Sequence, residues 1–548
     1  MSLIPGEPLQ YAETHFKFKL PWSLLYRPWP EILVDAPFQF VPGSRPTLWI
    51  VVRDAHRFPV VIENIEIDCQ PATAQDESAP RQQNLQIEAN QQFGFYPVDL
   101  GDLAPGTYSI HCKVTVRSKQ NGKVKKFSRW NHPLLKPAPL KIQVLAQDLP
   151  KPEGYIAGEM HCHTHYSADH VEHGATPAVF QQAAKAVGLD FVSLTDHAYD
   201  FAFLTEDYTQ AAPSPMPRFE ALQKEVDLCN RAEDKPLMIA GEEVSAGNSK
   251  GENVHMTVLG SDCYLPGLGD CGRNWLQNRP TLKIPDLLKM TGSHCFAAHP
   301  YQEMSGLEKF IFRRGFWHSV DLQTGSTHPI RGIQFWNGIR DEGFKLGREW
   351  WIQELGKENY LLPIGGNDAH GDMNDTTAVR LPLIELKNNR HHVFGYVRTV
   401  VRLAQKPCEN PTSAEENIPQ ADGCHKEQPL TLDDVNAAFC GDNCYITDGP
   451  ALWWERVTDR GESAVTFHAR STPETGEAFR YVRIYGRRRL LNGKLAPKEE
   501  LHLASQVAAR PATDITVPFE DFAYLRAECL TSYYKYALTS AAIHKKNI

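Results

Sequence analysis

The first 150 residues are patterned in short apolar runs, several with a period of two. Thr47-Leu48-Trp49-Ile50-Val51-Val52 and Val60-Val61-Ile62 are β-branched and aliphatic stretches of strand length, and Thr107 to Val116 alternates apolar and polar positions. Asn121-Gly122 marks a turn before a returning segment from Lys123 to Trp130, so a hairpin is predicted there. Leu140 to Leu145 reads as a closing strand, and the prolines at 150 and 152 punctuate a boundary. Residues 1–150 are therefore expected to form a β-sandwich-like domain with immunoglobulin-like spacing.

From 151 to 405 the texture changes. Helical patterns at 176–187 and 219–232 alternate with short apolar strands at 191–194, 237–240, 295–298, 332–336 and 361–364. Strand-then-helix repetition predicts a parallel α/β architecture, and a barrel is its natural closed form at this length. Residues 406–430 are polar, rich in Pro, Glu and Asn, and without periodicity, which reads as a linker or mobile loop. From 431 to 548, one short helix near Asp433 to Phe439 precedes strand-like runs at 465–468 and 481–485, a C-terminal β domain. The expected whole is a multidomain α/β protein, a barrel flanked by two β domains.

Composition narrows the classes. A chain of 548 residues is too long for one core. Its net charge of -9 comes from interspersed acids and bases, with no basic block to serve as a nucleic-acid footprint. No stretch approaches the roughly 18 consecutive apolar residues of a membrane span. The opening residues lack a basic segment followed by an apolar run, and the 12 cysteines are scattered, so a cytoplasmic protein with reduced thiols is expected.

The informative residues sit where the apolar strands end. His161-Cys162-His163 follows an extended stretch after Gly154, and Asp196-His197 follows the strand at 191–194. Glu242-Glu243 follows 237–240, His299 follows 295–298, and Asp368-Ala369-His370 follows 361–364 by a glycine pair; His255 lies after Val254. In a barrel such ends converge on one face. Alternation along an extended segment turns His161 and His163 to the same side. Each piece alone has an ordinary explanation: a satisfied core histidine, acids at a helix start, a turn capped by aspartate. Five pieces at five successive strand ends do not, because burying so many ionisable groups without a compensating cation is costly. Imidazole with carboxylate suits Zn²⁺, Mn²⁺ or iron, and the number of donors suits two or three ions with bridging carboxylates.

The motif order His161-Cys162-His163-Thr164, Ser167-Ala168-Asp169, Thr195-Asp196-His197, Gly241-Glu242-Glu243-Val244-Ser245, His255, Ala298-His299-Pro300 and Asn367-Asp368-Ala369-His370 resembles the polymerase-and-histidinol-phosphatase (PHP) superfamily. Gly332 to Gly338, Phe394 to Thr399 and Ile446 to Pro450 narrow the resemblance to its carbaryl-hydrolase-like branch. The resemblance covers about 155 to 455 and implies a distorted seven-stranded barrel with a two- or three-metal site. It implies metal ligation by His161, His163, His197, Glu243, His255, His299, Asp368 and His370, with Asp169 as a ninth ligand. Asp196 is expected to orient a ligand rather than bind metal. Arg313 and Arg314 are candidates to hold an anionic substrate group, the alternative being a solvated helix face. The function this implies is hydrolysis of a small-molecule ester, a phosphoester first, with water activated by two or three divalent ions (Zn, Mn or Fe). A carboxylic or carbamate ester on the same site is the alternative, and a degenerate binding or scaffold protein is the non-catalytic one.

Overall fold

The computed structural model describes residues 29–72, 80–131, 135–136, 138–167, 174–202, 211–232, 235–270, 278–304, 306–323, 329–371, 373–374, 378–381, 384–386, 392–404, 429–459, 462–490, 492, 494–505 and 510–544. At the N-terminal end, Glu31–Asp35, Thr47–Arg53 and Phe93–Asp99 form a three-stranded antiparallel sheet. A six-stranded sheet is built around the pairing of Val60–Pro71 with Gly106–Ser118. Alternation along Gly106–Ser118 buries Tyr108, Ile110, Cys112, Val114 and Val116 on one face, where they share a core with Ile32, Ile50 and Val52 of the other sheet. Gly122 takes the left-handed backbone its turn needs, with φ +70, and Val124–Ser128 returns antiparallel to Gly106–Ser118.

The seven-stranded (β/α) barrel expected from the sequence is not formed. Strands dominate, at 43% of the described residues against 17% in helix, so the molecule is mostly β rather than a helix-rich α/β barrel. The strands that carry the site divide between two sheets. Tyr155–Cys162, Phe191–Leu194 and Leu237–Ala240 run parallel within a ten-stranded sheet. Glu242–Gly247, Asn253–Leu259, His294–Ala298, Gly332–Asn337 and Leu362–Gly366 make a five-stranded one. Helices Pro177–Val187 and Met216–Asn230 cross over between the first three strands, and Glu342–Leu355 between the last two. Leu237–Ala240 instead leads straight into Glu242–Gly247, and the strands Glu242–Gly247, Asn253–Leu259 and His294–Ala298 are antiparallel neighbours.

Nor does the ten-stranded sheet close on itself. Arg398–Arg402 pairs antiparallel with Tyr155–Cys162 on one side and with Cys444–Thr447 on the other. The sheet then continues through Tyr536–Thr539, Phe522–Thr531 and Phe479–Arg488. The misreading has a physical cause. Glu242–Gly247 and Asn253–Leu259 are buried at every position, and a strand covered on both faces shows the same unbroken pattern whichever way its neighbours run. Among the described residues, no helix is long and apolar enough to cross a membrane.

Candidate metal centre

Glu243 is the hub of the site. Its carboxylate is buried, and five imidazoles close on it. Oε1 lies 2.6 Å from His255 Nδ1, 2.9 Å from His299 Nε2 and 3.4 Å from His161 Nε2. Oε2 lies 2.8 Å from His197 Nδ1 and 3.5 Å from His163 Nε2. Period-two alternation sends Glu242 to the other face of its strand, where Oε2 accepts from Leu265 N–H at 2.9 Å. His161 and His163 converge as the extended segment predicts: their Nε2 atoms are 3.1 Å apart, and Asp368 Oδ1 is 3.0 Å from that of His163. His370 stacks on His163 with ring centroids 4.0 Å apart.

The backbone is arranged to make this approach possible. Asp368 N–H donates to His161 carbonyl oxygen and His163 N–H to that of Ala369, which lays the 366–370 segment along the histidine strand. Gly366 must be glycine, since a Cβ there would stand 2.8 Å from that of His161. Two of the converging residues, His299 and Asp368, hold left-handed backbone with φ 25 and 54. Such conformations in non-glycine residues cost about 1–3 kcal/mol and persist where the surroundings over-determine them.

Hydrogen bonds behind the first layer fix which nitrogen faces inward. His161 Nδ1 donates to Gln334 Oε1 at 2.8 Å, Gln334 Nε2 donates to Asn337 Oδ1, and Asn337 Nδ2 donates to Asp368 Oδ2 at 3.1 Å. This directional relay leaves the His161 Nε2 lone pair and Asp368 Oδ1 facing the centre. His163 Nδ1 lies 3.2 Å from Ser167 Oγ. Asp196 accepts from the N–H groups of Thr164 and Ser167 and from Thr164 Oγ1, so it organises the turn that carries Ser167 rather than bonding a histidine itself. Glu159 plays a similar part beneath, accepting from the backbone of His161, Asn367 and Gly395.

The charge balance is unusual. Burial alone would raise the Glu243 carboxyl, but His255, His161 and His197 outweigh it and hold it well below its ordinary value. Burial opposes protonation of His161 and His255, yet the facing carboxylates lift them to about 9 and about 10. Burial pushes His163 well below the ordinary imidazole range and lowers His299 as well. His197 Nδ1, His255 Nδ1 and Glu243 Oε2 are buried and make no hydrogen bond, although carboxylate oxygen or imidazole nitrogen stands against each. Imidazole nitrogens and carboxylate oxygens packed this closely need positive charge between them, and this is the donor set of a cation. Three groups have ligand atoms close enough to share an ion: His163, His197 and His370; His161, His163, Glu243 and Asp368; and Glu243, His255 and His299.

All eight sequence-assigned ligands other than Asp169 thus come together; Asp169 lies outside the described residues. The two arginines separate. Arg314 lines a small cavity beside His255, His299 and Trp317, while Arg313 is exposed and its carbonyl accepts from Asn253 N–H. A second small cavity is lined by His299, Asn337, His392, Phe335 and Phe344. Gln334, Asn337 and Ser167 stood within the motifs without an assigned role, whereas Asp270, which contacts His255, carried no signal at all. An isolated aspartate in a loop looks like any solvated one.

No protein-family model matches the chain, and no curated protein matches it. Among solved structures, a cycloisomaltooligosaccharide glucanotransferase of Paenibacillus sp. is 9% identical with a TM-score of 0.18, over 93% of this chain and 71% of that one. A β-glucuronidase of Bacteroides uniformis is 10% identical with a TM-score of 0.17, over 93% of this chain and 60% of the other. That of Parabacteroides merdae is 8% identical at 0.17, over 93% and 77%. Scores this low describe no common fold and carry nothing about activity.

Proposed function

We propose that this chain is a metal-dependent hydrolase of the polymerase-and-histidinol-phosphatase kind, acting on a small anionic ester, with phosphoesters its first substrate class. The observation that carries the reading is Glu243: three imidazole nitrogens face Oε1 and two face Oε2, all within 3.5 Å. Divalent ions held by the three ligand groups would polarise the ester oxygen and make water a nucleophile at neutral pH. The chain's own residues set the conditions for that chemistry. Glu243 and His163 each belong to two of the three ligand groups, Asp368 adds a second carboxylate to one of them, and burial of the centre keeps the electrostatics strong. Gln334, Asn337 and Ser167 hold the donors in place before substrate arrives. Arg314, at the adjoining cavity, supports an anionic substrate.

In the reaction a water oxygen bonds to phosphorus, the bond to the leaving alcohol breaks, and a water proton ends on that alcohol. The test is turnover of aryl phosphates and aryl esters by the full chain supplied with Mn²⁺, Zn²⁺ or Fe²⁺. Phosphate turnover that a chelator abolishes is expected. Ester or carbamate turnover without phosphate turnover would overturn the substrate class, and turnover indifferent to chelation would overturn the metal.

A further inference from the structure

Asp270 is a carboxylate that neither the motifs nor the ligand groups account for. It is buried, on the loop after Asn253–Leu259, where a bridge between Ser245 and Leu268 lays the loop along Glu242–Gly247. Three side chains close on it. Ser245 Oγ donates to Oδ1, while His255 Nε2 at 2.8 Å and Arg314 Nε at 2.7 Å share Oδ2. Ser245 and His255 face each other in strand register, so one carboxylate grips both members of the pair that carries the ligand.

His255 therefore has a carboxylate at each end of its ring, Asp270 at Nε2 and Glu243 at Nδ1. With a cation taking the Nδ1 lone pair the ring is neutral, and its one proton sits on Nε2, toward Asp270. Arg314 Nη2 also stands 3.3 Å from His255 Nε2, and the Asp270 Oδ2 that faces both can only accept. We propose that Asp270 is a positioning residue: it holds the His255 proton on Nε2, turns the Nδ1 lone pair to the cation shared with Glu243 and His299, and couples that ligand to Arg314 at the substrate cavity. The proposal rests on the metal-centre reading above. A buried salt bridge serving the fold alone would need Arg314 and Asp270 but would not need His255 on the same oxygen.

The test is zinc titration of the full chain, read as stoichiometry and affinity by elemental analysis and calorimetry, for wild type, Asp270→Ala and Asp270→Asn. Asp270→Ala is expected to bind one zinc fewer than wild type. Asp270→Asn is expected to keep the full number with the weakest site loosened about 10–100-fold, because its amide oxygen still accepts from His255 and Arg314. Wild-type stoichiometry and affinity in Asp270→Ala would overturn the proposal and leave the metal centre standing. Should Asp270→Ala not fold, unchanged affinity in Asp270→Asn overturns it equally. A wild-type chain that takes up no zinc would remove the metal centre, and this inference with it.

Discussion

At the scale of residues, the centre is a problem of lone-pair direction. Imidazoles have two nitrogens, and each histidine here is useful only if the outer nitrogen is occupied. Gln334 does this for His161, Ser167 stands at His163, and Asp270 faces His255. Replacing Gln334 with Leu removes the acceptor for His161 Nδ1–H and frees the ring to hold its proton on the inner nitrogen. Affinity for zinc is expected to fall about 10–100-fold in a titration. Glu242→Gln, on the opposite strand face with a single acceptor bond to Leu265, is expected to leave it unchanged. The inner donors were legible in the sequence because His, Glu and Asp at strand ends have few other uses. The outer partners were not, because a glutamine or a loop aspartate has many.

At the scale of elements, the strands and the parallel pairing among them were legible, but the antiparallel strands set between them were not. The apolar runs at 191–194, 237–240, 295–298, 332–336 and 361–364 are strands, each shifted by at most a residue or two. What the pattern lacked was any sign that Glu242–Gly247 and Asn253–Leu259 form an antiparallel pair, so Glu243 and His255 enter the centre from within strands rather than from their ends. The pairing of Arg398–Arg402 with Cys444–Thr447 has a similar consequence, since it joins strands on either side of the segment read as a linker. One core also contains Val244 and Phe335 together with Ile446, Tyr524, Tyr536 and Leu538. A chain ending at Leu403 would expose that surface and leave Arg398–Arg402 as an open edge. It is expected to be insoluble or to unfold without cooperativity, as judged by expression and thermal denaturation. A soluble, cooperative product that binds zinc would contradict this.

At the scale of the whole molecule, a buried charge network ties the last strands to the helix Glu342–Leu355. Arg526 is fully buried, with both Glu499 and Glu528 on its guanidinium, and Arg348 of the helix reaches Glu528. Removing one partner of a buried network strands the others, so Arg526→Met is expected to cost about 3–5 kcal/mol in urea unfolding. Burial pushes the Glu528 carboxyl up, but Arg526 and Arg348 outweigh it and hold it below the ordinary value of 4.5. The folded chain therefore binds that proton less readily than the unfolded one. The stabilisation is full above the ordinary carboxylate range and is lost as pH falls below about 4.5 toward the folded value. Unfolding midpoints should decline over that window in wild type and decline less in Glu528→Gln. None of this was visible in the sequence, because charges distant along the chain become partners only through sheet pairing.

The central claim is that cations occupy the space Glu243 shares with five histidines. X-ray data from zinc-soaked crystals, collected on both sides of the zinc absorption edge, test it most directly. Two or three anomalous peaks within bonding reach of Glu243, Asp368 and the imidazole nitrogens are expected. An absence of anomalous density there, or peaks confined to surface histidines, would contradict it.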